Sequence, residues 1–241
     1  MSVHRRRFLA GAGAALGGLA GCLGGGGGGG SVTNLDGYDS IDVEGIAVPL
    51  APLSDVHSWY ESDRAKFADA RSKTAYDASH IEGAAWSPAP DGQRSNDPVA
   101  SWDPASLVVT YCNCPHHLSS IRAAVLIDRG YERVAALDDG FRAWHEQGYP
   151  VAGDNPDVDP PERVVEGRTD PRFAGDLAWA HHDPTGQREV TTITESGRYA
   201  LSLRFVDVSL EDEIRVTTPA YELTAPLSAL VSSVVGADGR L

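Results

Sequence analysis

Apolar positions after residue 40 recur with periods that change repeatedly along the chain. Gly45-Ile46-Ala47-Val48-Pro49-Leu50 predicts a short apolar strand. Leu53, Val56, Trp59 and Tyr60 then fall at i, i+3, i+6 and i+7, which predicts an amphipathic helix with Ser54 available as its N-cap. Lys66 to Arg71 alternates as a strand does, Ser72 to Ser79 suits a short helix, and His80 to Trp86 turns back into a strand. Pro88 to Pro104 has little periodicity and reads as loop. The continuous run Leu107-Val108-Val109-Thr110-Tyr111 predicts a strand buried on both faces. Helical spacing returns from Ser119 to Arg129 and stops at Gly130, followed by a strand at Val134–Leu137 and a helix at Gly140–Gln147. Alternating strands and helices predict an α/β fold with a parallel sheet and flanking helices.

The pattern changes at Asp154-Asn155-Pro156-Asp157-Val158-Asp159-Pro160-Pro161, an acidic, proline-rich stretch expected to be an extended linker over residues 153–165. Beyond it, 189–194, 199–208, 213–218 and 221–224 read as strands separated by Gly, Pro or acidic turns. They predict a small β-rich region over 166–241, either an antiparallel sheet or part of a sandwich. A chain ending near Gly153 is expected to fold alone. His181-His182 reads as surface loop, since no Cys or carboxylate motif accompanies it.

The amino terminus is a separate object. Twelve of the 26 glycines lie in the first 30 residues, seven of them in the run Gly24 to Gly30. Before that run, Arg5-Arg6-Arg7-Phe8-Leu9 resembles a twin-arginine export signal, and Leu19-Ala20-Gly21-Cys22 resembles a lipobox whose thiol receives a lipid. Residues 1–22 are therefore expected to be an export leader and 23–41 a glycine-rich tether, placing the protein outside the cytoplasm on a membrane lipid anchor at Cys22. The apolar run of the leader is too short to span a bilayer. A net charge of −14 leaves no electrostatic footprint for nucleic acid. With Lys66 and Lys73 as the sole lysines, the acidic surface also suggests a halophilic archaeal source.

Candidate chemistry concentrates in Tyr111-Cys112-Asn113-Cys114-Pro115-His116-His117-Leu118-Ser119-Ser120, where the buried strand gives way to a helix. Ligands of open parallel sheets bind outside the carboxyl ends of the strands. A loop opening into a helix also offers free amides that hold an anion and lower a thiol pKa. Cys112 or Cys114 is accordingly expected to be a nucleophile titrating below the free value of about 8.5. Asn113, His116, His117, Ser119 and Ser120 would form the substrate-binding loop.

Around this loop the chain resembles the rhodanese-like family of single-domain sulfurtransferases. Asp69-Ala70-Arg71-Ser72, Tyr76 and His80-Ile81-Glu82-Gly83-Ala84 match its first motif. Leu137-Asp138-Asp139-Gly140-Phe141-Arg142-Ala143-Trp144 with Gly148-Tyr149-Pro150-Val151 matches its closing motif. The resemblance covers residues 42–152 and implies a cysteine that carries sulfane sulfur as a persulfide between a small sulfur donor and a thiol acceptor, with no cofactor. Asp69 and Arg71 would form an ion pair or cap, and His80 a structural hydrogen bond. Loop length selects Cys114 as the nucleophile and the strand end selects Cys112; the strand end fixes position better, with the other thiol a resolving group. Ser119 occupies the usual arginine place and Pro115 removes an amide donor, so thiosulfate is a doubtful substrate. Rival readings are an inactive rhodanese-fold binding module, a thiol redox protein, or a metal site of Cys112, Cys114, His116 and His117. Four donors in six residues cannot easily surround one ion, so no metal is assigned.

Overall fold

The computed structural model describes residues 34–241. The leader, Cys22 and most of the glycine tether lie outside the described residues. The chain opens with β1 (Ser40–Val43) and β2 (Ile46–Ala51), an antiparallel pair. There follow α1 (Leu53–Glu61), β3 (Ala65–Asp69), α2 (Lys73–Ala78), β4 (His80–Ile81), β5 (Ala85–Trp86), β6 (Leu107–Tyr111), α3 (Leu118–Asp128), β7 (Arg133–Leu137), α4 (Gly140–Glu146) and β8 (Val151–Ala152). The central sheet has the order β1-β2-β7-β6-β3-β5 and is parallel apart from β1. This is the mixed α/β architecture that the alternating periods predict.

The run in β6 is buried at every position, because it sits mid-sheet with helices on both faces. One face packs Trp59, Phe67, Phe141 and Trp144 under α1 and α4; the other packs Val108, Ala123, Leu126 and Val134 under α3. Trp144 is fully buried, and its indole N–H donates to the Pro150 carbonyl at 3.0 Å, so the largest side chain of this core has no unmet polar group. In register, Asp69 of β3 lies beside Tyr111 of β6. The Asp-x-Arg segment and the thiol loop therefore leave the sheet at the same edge.

Three local expectations need correction. Ser54 does not cap α1: Pro52 holds the cap position, and the Leu53 amide donates to the Asp139 carboxylate at 2.8 Å, from 86 residues away. The segment 80–86 is not one strand, because a turn with Gly83 at φ 81° splits it into β4 and β5, and β4 pairs with β8 instead. The loop 88–104 contains a 3-10 turn at Pro98–Ser101 capped by the Asp97 side chain.

The carboxy-terminal region holds β9 (Arg163–Arg168), β10 (Leu177–His182), β11 (Gln187–Thr192), β12 (Arg198–Leu203), β13 (Glu213–Thr217), β14 (Glu222–Pro226) and α5 (Leu227–Ser232). A four-stranded antiparallel sheet, β11-β10-β13-β14, and a β9/β12 pair enclose a core of their own around Leu201, Leu203, Ile214 and Leu230. The proline-rich segment is pinned on both sides: Ser79 and His145 hydrogen-bond to the Pro156 carbonyl, and Arg204 to the Pro160 carbonyl. His181-His182 is not a surface loop. It ends β10, where His182 is buried against the Thr185 hydroxyl at 2.7 Å and His181 is half-buried. Strand geometry turns alternate side chains inward there, which overrides the polar character of the pair.

Candidate functional site

Cys112 follows directly on β6, at the carboxyl edge of the sheet. Its sulfur receives the backbone N–H groups of Ser119 and His117 at the start of α3, and lies 3.4 Å from the Ser119 hydroxyl. The thiol donates to the Cys114 carbonyl at 3.0 Å. Cys112 is thus the sulfur inside the amide cradle. Ser119 is held for this role by Thr110, whose hydroxyl donates to the Ser119 carbonyl at 2.9 Å.

Asn113 stands between the two thiols and joins two regions. Its side-chain oxygen accepts from Arg71 at 2.9 Å, while its amide group donates to the Arg204 carbonyl at 3.2 Å. Arg71 and Asp69 form a buried two-pronged ion pair, with contacts of 2.6 and 3.0 Å. A further Arg71 donor reaches the Ser79 carbonyl, and the guanidinium stacks on Phe141. Every face of that cation is engaged, as its burial requires. The α4 end closes in as well: the Phe141 amide donates to the Cys112 carbonyl at 2.7 Å. Gly140, at φ 74°, approaches so closely that a Cβ there would lie 2.7 Å from the Asn113 carbonyl oxygen.

Cys114 faces the carboxy-terminal region. Its sulfur is 3.6 Å from the Ser202 carbonyl, and Glu189 of β11 lies beside it. Val190, Leu177 and Trp179 pack with Cys112 and Leu118 in a shared apolar cluster. A cleft of 1410 Å³ runs along this seam, lined among others by His116, His117, Ile121, Trp179 and Val190.

The depressed thiol pKa expected from the loop is not found. Burial pushes Cys112 up to about 11; the Glu189 charge adds to this, and the hydrogen bonds from Ser119 and His117 offset part of it. Burial and Glu189 likewise push Cys114 up to about 12. The amide cradle is present, but the carboxy-terminal region covers it, and desolvation outweighs the amides.

The remaining loop residues separate. His117 turns toward Glu189, with Nδ1 at 3.3 Å from its carboxylate. His116, at φ 43°, turns the other way toward Asp138 at 3.0 Å, and burial holds its imidazole below the ordinary range. Ser120 donates to the His116 and His117 carbonyls and so serves the first turn of α3. His80 donates from Nδ1 to the Tyr76 carbonyl, 2.6 Å away, and stacks on that ring, apart from the thiols. Glu189, Arg204 and Trp179 are the site residues that the motif reading misses. Their one sequence signal is a charge or aromatic in an otherwise alternating strand.

A parallel α/β domain presenting a cysteine at the carboxyl end of its central strand, inside a loop that opens a helix, defines the class. Within it, residues 53–147 match the family model of the rhodanese-like domain. Among solved structures, the BH2092 protein from Bacillus halodurans is 22% identical, with a TM-score of 0.41, over 46% of this chain and 81% of its own. The human single-domain sulfurtransferase TSTD1 is 20% identical, with a TM-score of 0.36, over 42% of this chain and 97% of its own. A thiosulfate sulfurtransferase from Pseudomonas aeruginosa is 22% identical, with a TM-score of 0.38, over 44% of this chain and 20% of its own.

Proposed function

We propose that this protein is a rhodanese-type sulfurtransferase or sulfane-sulfur carrier, with Cys112 as the carrying sulfur. The observation that supports this reading is the pair of amides, from His117 and Ser119, directed at the Cys112 sulfur. The same amides would hold the negative charge of a persulfide. In the exchange, Cys112 attacks the outer sulfur of a donor persulfide; a new S–S bond forms, the donor S–S bond breaks, and the leaving thiolate takes up the Cys112 proton. A thiol acceptor reverses these steps. Thiosulfate suits the site poorly, because its two negative charges would meet Glu189 in a seam with Ser119 where a guanidinium would help. Since Cys112 is 0% exposed, exchange requires local opening of the seam along the cleft.

Intact-mass measurement after exposure to a polysulfide, mercaptopyruvate or thiosulfate tests the reading. A gain of one sulfur atom, reversed by cyanide, is expected with polysulfide. It should vanish in Cys112→Ser and fall in Cys114→Ser. Unchanged uptake in the double variant would sink it.

Export and lipid anchoring at Cys22 belong to the same proposal, carried by the Arg5-Arg6 and Leu19–Cys22 patterns. Among the described residues no helix is long and apolar enough to cross a membrane. Cys22→Ser should therefore release the protein from the membrane, and retention would point to another anchor. The charge of −14 and the scarcity of lysine support a halophilic archaeal setting for the exported protein.

A further inference from the structure

The seam between α3 and β11 brings together three donors of different kinds. The Cys114 thiol, the His117 imidazole and the Glu189 carboxylate each place one ligand atom within 4.8 Å of the other two. Cys114 is 7% and Glu189 4% exposed. Of the two polar partners of the thiol, the imidazole is left without a hydrogen bond at one nitrogen. His117 Nδ1 is buried and makes no hydrogen bond: it lies within ion-pair range of Glu189, yet off the line a hydrogen bond needs. The Glu189 carboxylate accepts from the adjacent Val190 amide at 3.0 Å, and its one ion pair among the described residues is that with His117. A buried carboxylate facing a buried, unpartnered imidazole nitrogen and a thiol is a donor set suited to a cation.

We infer that Cys114, His117 and Glu189 form a three-donor binding site for Zn²⁺ that spans the seam, with the fourth coordination position left to water or an incoming ligand. Zinc takes sulfur, nitrogen and oxygen together, whereas Ca²⁺ and Mg²⁺ favour all-oxygen shells and Cu(I) favours sulfur. Tetrahedral zinc, with bonds of about 2.3 Å to sulfur and about 2.0–2.1 Å to nitrogen or oxygen, sets donor separations of roughly 3.3–3.6 Å. His117 and Glu189 already stand at 3.3 Å, within that range. On binding, the S–H bond of Cys114 breaks, an S–Zn bond forms and the proton passes to solvent, with no change of oxidation state. Thiolate, carboxylate and neutral imidazole then carry two negative charges, which the dication cancels inside a poorly solvated seam. The Cys112 sulfur belongs to the cradle and hydrogen-bonds to the Cys114 carbonyl, so it stays outside the shell. The site does not depend on the sulfur-transfer reading, because it uses the other thiol and is read by metal retention.

The test uses the full chain, reduced, stripped with a chelator and loaded with Zn²⁺ or Co²⁺. Expected are one Zn²⁺ retained per chain through desalting and, for Co²⁺, tetrahedral visible bands with a thiolate charge-transfer band in the near ultraviolet. Cys114→Ser should abolish the charge-transfer band, Glu189→Gln and His117→Gln should each weaken Zn²⁺ binding by about tenfold or more, and Cys112→Ser should keep metal and spectrum. Circular dichroism checks each variant, and His117→Gln, at a partly exposed side chain, serves if Glu189→Gln does not fold. No Zn²⁺ retained by the folded wild type overturns the site. So does a charge-transfer band that survives in Cys114→Ser or disappears in Cys112→Ser. Sulfur uptake at Cys112 without metal retention would refute the site and leave the sulfurtransferase reading standing.

Discussion

The α/β half and the carboxy-terminal β half contribute unlike things to the same place. The first supplies both sulfurs, the amide cradle and the buried Asp69–Arg71 pair. The second supplies Glu189, the Ser202 and Arg204 carbonyls and the apolar cover of Val190, Leu177 and Trp179. Each half has its own core, yet Cys112 sits in a cluster drawn from both. A thiol loop built to favour an anion in an open parallel fold is here turned into one that disfavours it, by a neighbour that adds burial and a like charge. Geometry around a thiol and the solvation of that thiol are separate inheritances, and in this chain they come from different halves.

The largest test of this division is to remove one half. A chain ending at Gly153 keeps both cores that flank the central sheet and is expected to retain its helical circular dichroism while losing the cover on Cys112. Alkylation of Cys112 should then accelerate by roughly tenfold or more. Loss of the helical signal would mean that the halves stabilise each other and the division is false.

Within the α/β half, Arg71→Met leaves the Asp69 carboxylate buried without its partner, and urea denaturation should show a loss of about 3–5 kcal/mol. A loss under about 1 kcal/mol would mean that the pair only fills space. Gly140→Ala forces a Cβ against the Asn113 carbonyl at a positive φ and should cost about 1–3 kcal/mol by the same measurement, with Cys112 more readily alkylated because the loop must shift. The smallest change in structure is Glu189→Gln. The Glu189 charge raises both thiols, so removing it in the metal-free protein should move the alkylation midpoint downward from the region near 11. An unmoved midpoint would leave burial as the whole cause.

Much of the α/β half is legible in sequence because its elements are set by short-range pattern. The run Leu107–Tyr111 has no charged position, and the turn at Gly130 ends a helix whose spacing is plain. The Ser54 cap fails because the helix begins earlier, at Leu53, whose amide is met by a carboxylate from a distant loop, Asp139. β10 escapes the periodic reading because its buried residues are the small Ala178 and Ala180 and the polar His182, while the larger Leu177 and Trp179 lie half-covered along the seam. Cys112, Cys114 and His117 are marked by type and spacing. Glu189 is not, since an acidic residue in a strand looks like a solvent-facing position until tertiary docking turns it onto the thiols. The expectation of an acidic thiol fails for the same reason: an amide cradle is local, and desolvation is not.

Asn113 has a consequence for how the molecule would report its own chemistry. Its carboxamide is held at one end by Arg71 of the α/β half and at the other by the Arg204 carbonyl of the β half, with a sulfur on either side of it in the chain. Anything that enlarges or charges one of those sulfurs presses on a residue that hydrogen-bonds across to the other half. Load on either thiol and adhesion between the halves thus bear on one side chain.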